Sequence, residues 1–195
     1  MAGPGTLVLV VGPSGAGKDT AMRLAREIIG EAGSVRFVRR IVTRPADAGA
    51  EDHDSLDEAA FDGLVASGGA ALHWRAHGLG YALPAAIDDW IADGATVVAN
   101  VSRRIIDAAA RRYAHVAVVH VTAPPDILKE RLVARGREAG ADIDERLAPV
   151  PVTVPGGVAL HEIVNNGPPA DAGRRLAEII AGAGEQTPSP AAAAT

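Results

Sequence analysis

Lys18 closes the run Gly12-Pro13-Ser14-Gly15-Ala16-Gly17-Lys18, and Asp19 and Thr20 follow it directly. The run comes straight after the apolar stretch Leu7-Val8-Leu9-Val10-Val11, which reads as a buried parallel strand. It leads into Asp19–Ile29, which reads as a helix. A Gly-rich turn between strand and helix directs successive backbone N–H groups inward and makes a nest for phosphate oxygens. Gly12 and Gly17 permit backbone angles and close approaches that a Cβ would block. An ammonium group at position 18 reaches the β- and γ-phosphates of a nucleotide. Asp19 stands where Ser or Thr ordinarily meets Mg²⁺, and Thr20 comes one place later, so these two are the candidate metal ligands.

Basic side chains gather at the ends of the elements that surround this turn. Arg39, Arg40 and Arg44 close a second strand, and Arg103 and Arg104 open the helix after a third. Arg131, Arg135, Arg137 and Arg146 follow a fourth. Arg131 and Arg135 are four apart and share one helix face. The helix then breaks at Gly136 and Gly140. Arginines running into a Gly-punctuated loop read as a lid that closes over transferring phosphates. Other chemistry-bearing types read as structural. His73 and His77 fall on a strand and turn, so they make no metal pair, and His115 and His120 flank an apolar strand. The acidic run Glu51, Asp52, Asp54, Asp57 and Glu58 reads as a solvated loop and helix start.

These side chains need a scaffold, and the pattern supplies one. Strands are expected at Leu7–Val11, Val35–Val42, Ala95–Val101, Val116–Val121 and His161–Val164. Helices are expected at Asp19–Ile29, Asp57–Ala66, Leu83–Ala92, Arg103–Tyr113, Pro125–Arg135, Asp142–Leu147 and Ala170–Ile180. Continuous Val, Ala and Ile runs separated by helices indicate an α/β fold, a parallel sheet covered on both faces. Ligands of such sheets bind beyond the carboxyl ends of the strands, where the Gly-rich turn lies. The expected organisation is one domain over residues 1–182 with a loop-rich insert at 43–84, a lid at 131–147 and a disordered tail at 183–195.

Composition narrows the function classes. The 195 residues carry a formal charge of −5, which argues against a broad nucleic-acid-binding face and places any anion site in a local basic pocket. There is no cysteine, hence no disulfide, thiolate metal site or thiol nucleophile. No apolar stretch is long enough to span a membrane, and the amino terminus leaves no room for a signal peptide, so a cytoplasmic protein is expected. A homodimer is left open.

With the turn, Thr43-Arg44, the lid and Asn165 in view, the chain resembles the guanylate kinase-like branch of the P-loop nucleoside monophosphate kinases. Thr43-Arg44 with Gly49-Ala50-Glu51 is similar to the stretch that opens that branch's acceptor site. Gly80-Tyr81 is similar to its tyrosine-rich turn, and Arg131-Leu132, Arg135-Gly136 and Arg146-Leu147 to its lid. Ile163-Val164-Asn165-Asn166 is similar to its last strand, whose end approaches the adenine of ATP. The two carboxylates by which the branch reads guanine are missing. His73, before Trp74, and Asn100, in Ala99-Asn100-Val101-Ser102-Arg103, occupy their places. Losing acceptors for buried N–H donors costs several kcal/mol of discrimination, roughly.

Lys18-Asp19, Thr43-Arg44 leading to Glu51-Asp52-His53, Trp74 with Gly78-Leu79-Gly80-Tyr81, Asn100-Val101-Ser102-Arg103 and Arg135-Gly136-Arg137-Glu138 together resemble the ribose 1,5-bisphosphate phosphokinase family of phosphonate breakdown. That resemblance implies ATP-dependent phosphorylation of ribose 1,5-bisphosphate to 5-phosphoribosyl 1-diphosphate, with Mg²⁺. It assigns Lys18, Arg135, Arg137 and Arg146 to catalysis. Gly12, Pro13, Ser14, Gly15, Ala16, Gly17, Lys18, Asp19, Thr20, Arg131 and Asn165 fall to ATP. Arg44, Glu51, His53, Tyr81, Asn100, Ser102 and Arg103 fall to the acceptor. A phosphate acceptor is already anionic near neutral pH, so no general base is required. The alternatives are a guanylate kinase-like nucleoside monophosphate kinase and a non-catalytic guanylate kinase-like scaffold. The scaffolds typically lose the Lys and lid arginines that this chain keeps.

Overall fold

The computed structural model describes residues 2–30, 33–44, 53–134 and 151–185. In chain order the strands are β1 (Ala2–Val11), β2 (Val35–Phe37), β3 (Arg40–Val42), β4 (His53–Ser55), β5 (Ala70–Ala76), β6 (Leu79–Pro84), β7 (Thr96–Asn100), β8 (Tyr113–Thr122) and β9 (Ala159–Val164). The helices are α1 (Lys18–Ile29), α2 (Glu58–Ala66), α3 (Ala86–Ala92), α4 (Ile106–Arg112, after a 3₁₀ turn at Arg103–Ile105), α5 (Pro125–Ala134) and α6 (Pro169–Glu185).

The main sheet has the order β2-β7-β1-β8-β9, and every pairing in it is parallel. β1 lies at its centre, so both faces of the strand must be apolar. Leu7, Leu9 and Val11 enter one hydrophobic cluster, Val8 and Val10 the other, and all five are fully buried. Each such side chain contributes roughly 1.5–3 kcal/mol by leaving water. The α1 connection carries the chain to one side of β1, and the α4 connection carries it to the other. The order therefore reverses at the carboxyl end of β1, the place where open α/β sheets bind ligands.

A second sheet has the order β4-β3-β6-β5, and its Leu72, Trp74 and Leu83 enter the same hydrophobic cluster as Leu7 and Leu9 of the first. The described part of the insert expected to be loop-rich is thus a short strand, β4, a helix, α2, and a formed hairpin, β5–β6. Residues 35–42, expected as a single strand, divide between the two sheets. Val38 still donates its backbone N–H to the Val98 carbonyl at 2.8 Å, and Arg40–Val42 then pairs with β6. In β3, β5 and β6, Val42, Tyr81 and Trp74 lie abreast on one face, with Arg40 two places along. The other face receives α2. The Phe61 ring lies where a Cβ on Gly80 would sit at 2.8 Å, and Arg75 bonds Glu58 and Asp62 of that helix.

Three further boundaries differ from expectation. α3 starts at Ala86, because Leu83 and Pro84 finish β6. Tyr113 begins β8 rather than ending a helix, and α6 runs through Glu185, with Ala183 buried, past the expected start of the tail. At the amino end of the main sheet, Asp88 of α3 accepts hydrogen bonds from Arg112 Nε at 3.1 Å and from the Tyr113 hydroxyl at 2.7 Å. Burial pushes the Asp88 carboxyl up, and the bonds from Arg112 and Tyr113 outweigh it, leaving the group below its usual range. The expected helix at 142–147 lies outside the described residues.

Candidate active site

The turn after β1 closes as its composition demands. Gly12 has φ 145°, and a Cβ there would lie 1.9 Å from the Val121 carbonyl oxygen. Gly17 has φ 86° and caps α1 without any side-chain bond, so the first N–H groups of the helix are turned to the loop. The Ala21 N–H reaches the Gly17 carbonyl at 2.9 Å, the first full turn of the helix. Lys18 Nζ donates to the carbonyls of Gly12 and Pro13, both at 2.9 Å, which holds the ammonium over the concave side of the loop. Pro13, Ser14, Gly15 and Ala16 complete the ring, and Ala16 is fully buried.

The loop is fastened from β9 and α5. Asn165, 6% exposed, takes the Thr122 carbonyl with its backbone N–H at 2.7 Å and donates its Nδ2 to the Ala16 carbonyl at 2.8 Å. A Cβ on Gly17 would stand 2.4 Å from that nitrogen, so glycine is required there by Asn165 as well as by φ. Asn165 Oδ1 is buried with no hydrogen-bond partner. Arg131 reaches back from α5, its Nη1 3.4 Å from the Gly15 carbonyl. The structure thus brings the residues expected at the donor together, and Asn165 braces the loop. Asp19 accepts a hydrogen bond from Asn100 Nδ2 at 2.6 Å, and Thr20 lies beside it in the first turn of α1.

The residues expected at the acceptor are carried by the second sheet and the turn after β7. The Trp74 and Tyr81 rings stack with centroids 5.3 Å apart and planes 7° from parallel, and the Arg40 guanidinium lies 5.9 Å from the Tyr81 centroid. Thr43 fixes this hairpin: its backbone N–H bonds the Gly80 carbonyl at 3.0 Å, and its hydroxyl accepts from the Gly80 N–H at 2.8 Å. The same hydroxyl donates to Glu58, which with the bond from Arg75 holds the Glu58 carboxyl below its usual range. Arg44 Nε is buried without a hydrogen-bond partner. His53 is 5% exposed beside Arg40, and its carbonyl accepts from Arg39. Arg103 opens the 3₁₀ turn against β5, with Ser102 as the residue before it. His73 points away from Trp74, exposed. Strand alternation puts the aromatic ring, and not the imidazole, on the face of Tyr81.

One residue read as structural belongs near this site. His120, aligned with Val11 in β1 and Glu162 in β9, lies within electrostatic reach of Lys18 and Arg103. Burial lowers its pKa, and those two cations lower it further against the opposing pull of Glu162. The clue in the sequence is positional, since residues level with the end of β1 border the loop. Glu51, Arg135, Arg137 and Arg146 lie outside the described residues.

The donor set suits a hard cation, with one carboxylate and one hydroxyl at the start of α1. Among the described residues no cluster of three or more His, Asp or Glu side chains forms a metal cage. That composition fits Mg²⁺, which keeps most of its waters and arrives with nucleotide phosphates. Among the described residues no helix is long and apolar enough to cross a membrane.

The parallel sheet and its nested loop define a P-loop α/β protein. The family model described as AAA domain matches residues 7–148. A ribose 1,5-bisphosphate phosphokinase of Methylobacterium radiotolerans is 52% identical over 89% of this chain and 96% of its own length. Another, of Chelativorans sp., is 48% identical over 90% of this chain and 85% of its own. Guanylate kinase from Anaplasma phagocytophilum shares the fold, with a TM-score of 0.67 at 18% identity over 97% of this chain and 90% of that one. The chain belongs, within the AAA-domain class, to the ribose 1,5-bisphosphate phosphokinase family.

Proposed function

We propose that the protein transfers the γ-phosphoryl group of ATP to the 1-phosphate of ribose 1,5-bisphosphate. An oxygen of the 1-phosphate attacks the γ-phosphorus, the bond to the β–γ bridging oxygen breaks, and 5-phosphoribosyl 1-diphosphate and ADP are released. The observation that carries the reading is what stands at the two places where the guanylate kinase-like branch reads guanine. The side chain ending β7 is an amide directed at Asp19, and His73 faces solvent, so neither place offers a carboxylate for guanine N–H groups. A sugar bisphosphate has no base to read and two phosphates to hold. The names carried by relatives about half identical to this chain support the same acceptor.

Phosphoryl transfer asks mainly for positioning and charge stabilisation. Lys18 and the backbone of the loop hold the β- and γ-phosphates, Arg131 and Asn165 border the nucleotide, and Asp19 and Thr20 hold Mg²⁺. The metal, when bound, neutralises charge on the phosphates. Arg135, Arg137 and Arg146 meet the charge on the transferred group and exclude water. Arg44 and Arg103 grip acceptor phosphate bidentately, with Tyr81 as a further donor and His53 and Ser102 beside them, and Glu51 is assigned to the same acceptor. The test is ³¹P NMR of a reaction with Mg²⁺-ATP and ribose 1,5-bisphosphate. Coupled diphosphate signals of a new 1-diphosphate beside ADP are expected. An unchanged sugar bisphosphate, with GMP converted to GDP in a parallel tube, overturns the proposal.

A further inference from the structure

Two departures of this sequence from the commoner P-loop pattern meet in the fold. Asp19 replaces a hydroxyl after the Lys, Asn100 stands where a strand next to the loop commonly ends in Asp, and the two are bonded across 81 positions. We infer that they are one exchange: the carboxylate that P-loop enzymes carry at the strand end has moved into the loop, and Asn100 is the residue that positions it toward the Mg²⁺ of the bound nucleotide. The inference rests on the nucleotide-binding half of the proposed function and not on the identity of the acceptor.

Several observations converge on it. Asn100 is the partner of Val10 across the β1–β7 pairing, so its side chain leaves the sheet level with the start of the loop. It is 5% exposed, and a buried amide is tolerated there because it is bonded. The bond at 2.6 Å is short for N–H···O, as charge-assisted bonds are. Asp19 lies in the first turn of α1, where the helix dipole favours an anion. Holding Oδ1 fixes the plane of the carboxylate beside Thr20 and Lys18. The pair also carries a single negative charge. Asp at both positions would set two carboxylates against each other, and Asn with Ser would leave the metal side without an anion.

Mn²⁺, a spin probe for the Mg²⁺ site, tests this by electron paramagnetic resonance in the presence of ADP. Asp19→Asn and Asn100→Ala are each expected to weaken Mn²⁺ in the ternary complex about tenfold, each variant being compared at ADP saturation set from its own ADP affinity in EDTA. The inverted pair, Asp19→Asn with Asn100→Asp, is expected to recover Mn²⁺ binding to within about threefold, because the charge returns to the strand end. Undiminished Mn²⁺ affinity in Asn100→Ala overturns the positioning role. An inverted pair no better than Asp19→Asn alone overturns the exchange. Thermal unfolding in EDTA separates a folding defect at buried Asn100 from a metal defect, and Asp19→Asn, on the partly exposed helix start, decides the first claim if Asn100→Ala does not fold. A parent protein that binds no ADP contradicts the nucleotide-binding reading instead.

Discussion

The proposed donor half of the site and the proposed acceptor half are built by different means. The donor half is backbone: a loop of seven residues, the start of one helix, and carbonyls held by Lys18, Arg131 and Asn165. The acceptor half is side chains carried by a second sheet: Arg40 over Tyr81, Tyr81 on Trp74, Thr43 latching the hairpin, and Arg103 on the turn opposite. A backbone cradle binds any nucleoside triphosphate tail, because phosphates present the same oxygens whatever follows them. A side-chain surface can be rewritten for a new acceptor without disturbing the cradle.

The largest effect that tests it is at Lys18. Lys18→Ala is expected to lower kcat/KM by about a thousandfold or more for any acceptor, since the lost charge acts on the transferred phosphate. A loss confined to one acceptor would break the division. Gly17→Ala comes next. The new methyl meets the Asn165 amide at 2.4 Å and a φ of 86°, and activity is expected to fall about a hundredfold through the loop. Equal activity would show that the Asn165 brace does nothing for the donor half.

Arg103→Ala sharpens the other side. The acceptor KM is expected to rise about tenfold with the ATP KM unchanged, the size of one charge-assisted contact. A rise in the ATP KM instead would move Arg103 to the donor half. The smallest effect on activity belongs to Asp88→Ala, at the far end of the sheet. It removes the carboxylate that accepts from the buried Tyr113 hydroxyl and from Arg112, and is expected to cost about 2 kcal/mol of stability with kcat/KM unchanged. The sign with pH follows from the lowered Asp88 pKa. Its contribution is complete above the ordinary carboxylate value of 3.8 and is lost as pH falls through the folded-state value, so the difference between parent and variant, read by chemical denaturation, shrinks in acid.

The donor half was legible because its parts are contiguous. Strand, loop and helix follow one another from Leu7 to Ile29, and the glycines report backbone needs that no other residue meets. The acceptor half depends on contacts distant in sequence. Nothing local says that residues 35–42 break into two sheets, because each piece alone is an apolar strand with arginines. Alternation along β5 decides that Trp74, not His73, shares a face with Tyr81, and that follows only once the hairpin register is known. His120 escaped for the same reason: its position beside Val11 exists only in the assembled sheet. The Asp19–Asn100 bond joins two anomalies that the sequence displays separately.

The central claim, that this cleft is built for a sugar bisphosphate and not a nucleotide acceptor, is tested most directly by one ratio. With saturating Mg²⁺-ATP, kcat/KM for ribose 1,5-bisphosphate is predicted to exceed that for GMP by about a thousandfold or more. A ratio near unity, or one favouring GMP, would contradict it.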